Sequence, residues 1–125
     1  MIKNEKIQKV IELFDIYQES REKISKQLKS SGKHPAYVVA DDLNNPDRDN
    51  LIEYINSLSK TEKGYLLALM KFGREFKAPS KKGFEYYIND AQSFKDYHID
   101  YMISRPLSKY LRKGLIKLDL LKRTN

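Results

Sequence analysis

The chain has 125 residues, 40% of them hydrophobic and 33% charged, with a formal net charge of +7 and no cysteine. That length suits one domain burying roughly two thirds of its unfolded surface, and the composition is that of a soluble globular chain rather than a disordered one. Lack of thiols excludes disulfide frameworks, thiolate metal sites and cysteine nucleophiles, and the longest apolar run, six residues from Tyr65 to Met70, is too short to span a membrane.

In chain order, Ile7, Val10, Ile11, Phe14, Tyr17, Ile24 and Leu28 recur at three- and four-residue steps, which predicts a long amphipathic helix over 4–29. Arg21 interrupts its apolar stripe, so it either snorkels to solvent or finds a carboxylate. The charged opening MIKNEKIQK lacks a secretory signal's apolar stretch, pointing to a cytoplasmic address. Gly32 and Pro35 end the helix, and a polar loop over 30–46 follows. Asn45 before Pro46 is a cap followed by a residue suited to a first turn, opening a second helix with Leu51, Ile52, Ile55 and Leu58 on one side.

Ser59 and Glu62 form a capping box that starts a third helix, apolar around most of its circumference and running to Phe72. We read Gly73 as its terminator, adopting the left-handed conformation that glycine tolerates, with Arg74 near the carbonyl end where a cation is favoured. Phe84, Tyr87, Ile88, Ala91 and Phe94 mark a fourth helix, and a short fifth carries Tyr97, Ile99, Tyr101 and Met102. Pro106 opens a sixth with Leu107, Tyr110, Leu111 and Leu115 inward and Arg105, Lys109, Arg112 and Lys113 outward. Gly114 either ends that helix or sits inside it at a cost of about 1 kcal/mol. IKLDLL alternates like a strand, and it can pair with AYVVA in a minor two-stranded element. The expected object is therefore a single all-α domain: the 4–29 helix, the 30–46 loop, a helical core over 47–118 built around residues 60–72, and a basic tail over 119–125.

Charge is distributed unevenly. From Arg105 onward seven basic residues face Asp119 alone, whereas residues 34–70 carry six acids against three basic residues. The two segments either neutralise each other in the fold or leave an electropositive C-terminal surface.

The stretch LIEYINSLSKTEKGYLLALMKFGRE, then Ala91, then YMISRPLSKYLRKGL, resembles the bacterial domain-of-unknown-function family 3775. Gly73, Arg74, Ala91, Pro106, Tyr110, Leu111, Gly114 and Leu115 stand where its pattern asks, over about residues 48–118. Where that pattern carries tryptophans, this chain has Lys71 or Phe72 and Phe84. The resemblance implies an all-α domain and no established activity.

Arg74 has two readings. It can hold a ligand's phosphate or carboxylate through its fork, or, as we expect, tether the helix end to Glu62, Asp90 or Asp96. Asp96, His98 and Asp100 do not share one helical face, and no phosphate loop, nucleophile elbow or zinc signature occurs. We therefore expect no enzyme, no metal and no cofactor. Phe76, Phe84, Tyr86, Tyr87 and Tyr97 lie among Lys77, Lys81, Lys82 and Lys95, an interleaving that suits stacked single-stranded nucleic acid, although aromatics at helical spacing are usually core. The short fifth helix, the Ser104–Pro106 turn and the basic sixth helix also outline a helix-turn-helix. The expected role is a protein-binding or regulatory module recognising an acidic partner or a second copy of itself, with Arg74, Arg105, Lys109, Arg112, Lys113 and Lys117 as binding residues. The alternative is nucleic-acid binding by the basic helix and tail.

Overall fold

A computed structural model describes residues 2–30, 32 and 44–123. Among them are six α-helices: α1 (Asn4–Ser30), α2 (Pro46–Ser57), α3 (Lys60–Arg74), α4 (Lys81–Asp90), α5 (Tyr97–Ile103) and α6 (Leu107–Arg123), with a 3₁₀ turn, Ala91–Ser93, between α4 and α5. The fold is all-α, with no strand among the described residues.

Three of these starts, those of α2, α3 and α4, are fixed by side-chain caps. Asn45 accepts the Asp47 N–H at 3.0 Å while its own amide donates to Ser20 Oγ at 2.7 Å, so one buried side chain caps α2 and ties it to α1. Ser59 Oγ accepts the Glu62 N–H at 3.1 Å and Glu62 Oε1 accepts the Ser59 N–H at 2.9 Å, completing the reciprocal cap at the start of α3. Ser80 caps α4 through the Gly83 N–H at 3.0 Å.

α3 is the axis of the molecule. Leu66, Leu67, Ala68, Leu69, Met70 and Phe72 are all buried, because α6, α4 and the 3₁₀ turn pack around it. Its N-terminal end is tied to α1 by Lys6 Nζ, which donates to Glu62 Oε2 at 2.7 Å. α1 contributes Ile7, Val10, Ile11, Phe14 and Tyr17 to the same core. Arg21 interrupts the stripe as expected and places its guanidinium 5.1 Å from the Tyr17 ring centre, an aromatic rather than a carboxylate partner.

Gly73 does not end α3. The helix continues through Arg74 and breaks at Glu75, whose backbone is extended. Gly32 is the positive-φ glycine of the described residues, at +72°. Gly73 is there for proximity: a Cβ added to it would lie 1.8 Å from the Tyr110 carbonyl oxygen, and one added to Gly114 would lie 2.6 Å from the Leu69 carbonyl oxygen. The two glycines let α3 and α6 cross backbone to backbone, which explains why Gly114 is interior to α6 despite its propensity cost.

That crossing also overturns the strand reading of IKLDLL. Leu107, Leu111, Gly114, Leu118 and Leu121 continue one face of α6 at alternating steps of four and three, and residues 116–121 are helical throughout. AYVVA lies outside the described residues, as do most of the expected 30–46 loop and the last two residues. The expected basic tail is, over 119–123, the end of α6. The fourth expected segment is likewise divided: α4 stops at Asp90, and Ala91 and Phe94 are buried beyond it.

Candidate functional site

The contact between Gly73 and Gly114 fixes which side of α6 faces outward. Leu107, Leu111 and Gly114 point into the core, so at 100° per residue Lys109, Lys113, Ile116 and Leu120 form a stripe on the opposite side. Ile116 keeps 61% of its surface exposed and Leu120 45%. Lys109 and Lys113 are exposed and have no hydrogen-bond or ion-pair partner among the described residues. The stripe is therefore cationic in its first half and apolar in its second.

The other expected binding residues have structural neighbours. Arg112 pairs with Asp15 of α1 at 2.6 Å, an exposed bridge. Lys117 turns inward, and its ammonium donates to the carbonyl of Phe72 at 2.8 Å and to that of Glu75, its nitrogen 5.4 Å from the Phe72 ring centre. The cation at the carbonyl end of α3 is thus Lys117 from α6, where the sequence suggests Arg74.

Arg74 donates instead to the Tyr101 hydroxyl at 2.5 Å. None of Glu62, Asp90 or Asp96 pairs with it: Glu62 is held by Lys6 and Asp90 by Lys71, at 2.7 and 3.0 Å. Arg105 lies over the same Tyr101 ring, 4.2 Å from its centre, and donates to Ser104 Oγ at 2.6 Å. Two half-buried guanidiniums thus share one phenol, with no carboxylate at ion-pair distance among the described residues. Nearby, Tyr87 lies within the field of the Glu75 carboxylate. Burial first, and then that carboxylate, push the Tyr87 pKa up, opposed by Arg74.

The acidic and basic segments do not cancel among the described residues. Arg48 bridges to Asp100 at 3.1 Å, and Arg123 to Asp119 in its own helix at 3.0 Å. None of Asp47, Asp49 and Glu53 pairs with α6, since α2 packs on α1. His98 accepts the Lys95 N–H at 2.8 Å through Nδ1, and its ring lies tilted against those of Phe94 and Tyr97. No group of acids and histidines among the described residues is arranged to hold a metal, and no described helix is long and apolar enough to cross a membrane. The expected aromatic set divides: Phe84 and Tyr87 are half-buried, whereas Phe76, Tyr86 and Tyr97 are exposed rather than core.

Sequence reasoning missed Tyr101, the hub for both arginines, and a groove of about 570 Å³ between α3 and α4, lined by Tyr65, Phe84 and Ile88 with Gly64 and Ala91 at its base. The usable signal was two small residues, Gly64 and Ala91, set in otherwise bulky stretches. A family described as "Protein of unknown function (DUF3775)" matches residues 48–120, from α2 into the last turns of α6. No curated protein and no solved structure matches.

Proposed function

We propose, from the premise that this chain belongs to the DUF3775 family, that it is a non-enzymatic protein-binding module whose α6 receives an acidic, amphipathic segment of a partner protein. The observation that carries this is the two-part stripe. Lys109 and Lys113 are unpaired cations, and Ile116 and Leu120 are exposed apolar side chains on the same line of the helix. A partner helix with carboxylates at one end and leucine-type residues at the other complements both halves, in the manner of helix-on-groove recognition. A phosphate backbone would be matched by the first half alone, because two large apolar residues stand where further phosphate contacts belong. Arg105, one turn ahead of Lys109, extends the cationic end, and the Arg74–Tyr101–Arg105 cluster supplies uncompensated guanidinium charge beside it.

A photo-crosslinking residue at position 116 tests the proposal. An acidic protein is captured in cells, and Lys109→Glu with Lys113→Glu abolishes the capture. Capture unchanged by that double charge reversal refutes it.

The exposure of Phe76, Tyr86 and Tyr97 supports a second reading. Tyr86 stands one helical turn from Lys82, a pairing that suits stacked single-stranded nucleic acid. Binding of a single-stranded oligonucleotide at about 50 mM salt, weakened by Tyr86→Ala, is its signature; no binding under those conditions removes it.

A further inference from the structure

The groove between α3 and α4 lies outside the α6 stripe, and none of its lining residues belongs to α6. Its volume, about 570 Å³, falls in the roughly 300–1,000 Å³ range of small-molecule sites. The inner walls are hydrocarbon and aromatic, with Tyr65 and Phe84 meeting edge to face at 5.6 Å between ring centres. The base is narrow because Gly64 brings α3 onto the 3₁₀ turn, where an added Cβ would lie 2.9 Å from the Ala91 carbonyl oxygen.

Polar groups occur at the rim, and two of them are donors with nothing to bind. The Tyr65 hydroxyl and the Lys60 ammonium have no hydrogen-bond or ion-pair partner among the described residues. Burial raises the Tyr65 pKa, so its phenol stays protonated and donating throughout the physiological range. No acidic side chain lines the groove to compete for the lysine. An apolar body would meet Tyr65, Phe84 and Ile88, and an acceptor group carrying negative charge would meet the two donors.

We propose that this groove binds a small carboxylic acid with a hydrocarbon body, its chain against Phe84 and Ile88 and its carboxylate between Lys60 and Tyr65. The wall that α4 supplies has no fully buried residue, Phe84 and Ile88 being half-buried against the core.

The test titrates decanoate and its neutral counterpart decanol, both below their aggregation limits, into the full isotope-labelled chain. Decanoate is expected to produce saturable amide shifts at Gly64, Phe84 and Ala91, with decanol binding about fivefold more weakly, as for one exposed charge contact. Lys60→Gln, which removes the charge without reversing it, should bring decanoate down to decanol's level. Thr61→Trp, at an exposed position on the rim, should block both ligands while the circular-dichroism spectrum and melting temperature stay unchanged. Three results would each overturn the proposal: no saturable shift at the groove, equal binding of decanoate and decanol, or full binding by Thr61→Trp.

Discussion

Gly73 rests against the Tyr110 carbonyl so closely that no side chain fits between them, with only 1.8 Å left for a Cβ. The obstacle is backbone on both sides, and neither helix can rotate a side chain away. Gly73→Ala is therefore expected to destabilise the fold by about 3 kcal/mol or more, at the upper end of overpacking costs. Gly114→Ala meets the Leu69 carbonyl at 2.6 Å and should cost about 2 kcal/mol. Gly32→Ala, which meets nothing within 4 Å and bears only the strain of φ +72°, should cost about 1 kcal/mol. Urea unfolding followed by circular dichroism ranks the three; a Gly73→Ala protein as stable as the parent contradicts the packing.

Lys117 carries the second expectation. Its ammonium satisfies carbonyls at the end of α3 and lies 5.4 Å from the Phe72 ring centre. Lys117→Met keeps an unbranched apolar stem and removes the ammonium, so a loss of about 1–2 kcal/mol measures its carbonyl and ring contacts together. Charge reversal at Lys113, on the outer stripe, should change stability by no more than about 0.5 kcal/mol.

Acid sensitivity should be traceable to Glu62. Its pKa is lowered from 4.5 to about 2, first by the hydrogen bond from Lys6 and then by that from the Ser59 backbone. A carboxyl held below its unfolded value stabilises the fold above that value, and the contribution is lost as pH falls from about 4.5 through about 2. Lys6 is raised above 10.5, chiefly by the same hydrogen bond, so its share is present below that value and disappears as pH rises through the elevated one. Glu62→Gln should flatten the acid limb of a stability-versus-pH curve. An acid limb identical to the parent's would show that another carboxylate sets it.

Arg74 and Tyr101 should be energetically coupled. Their hydrogen bond spans α3 and α5 at 2.5 Å, and a double-mutant cycle with Arg74→Lys and Tyr101→Phe is expected to give a coupling of about 1 kcal/mol. Additive effects would mean that the bond contributes nothing in solution.

Local chemistry was readable from the residues alone. The Asn45 cap, the Ser59–Glu62 box and the apolar steps of α1 and α3 each depend on neighbours within one helical turn, so their positions in the sequence specify them. Gly73 was not readable in the same way. A glycine that ends a helix and one that admits a crossing backbone look alike until Tyr110 is placed beside it. Lys117 stands where Arg74 was expected for a similar reason: which cation reaches the carbonyls at the end of α3 depends on the register of α6, and Gly114 sets that register. IKLDLL misleads because Ile116 and Leu120 are apolar yet exposed, which imitates a strand's alternation on the outer side of a helix. Tyr101 was legible only as a member of the short fifth helix, since its importance comes from Arg74 of α3 and Arg105 beyond α5, which no local spacing brings together.

α4 has no fully buried side chain: Phe84, Tyr87 and Ile88 are half-buried against the core, the Phe84 ring meeting Tyr65 and Phe72, and Asp90 is bridged to Lys71. Its amide protons should consequently trade for deuterium through a private opening, far sooner than those of α3, whose exchange waits on collapse of the whole bundle. The polypeptide is thus a two-speed object: a slow crossed pair of helices, and beside it a shutter that lifts without them.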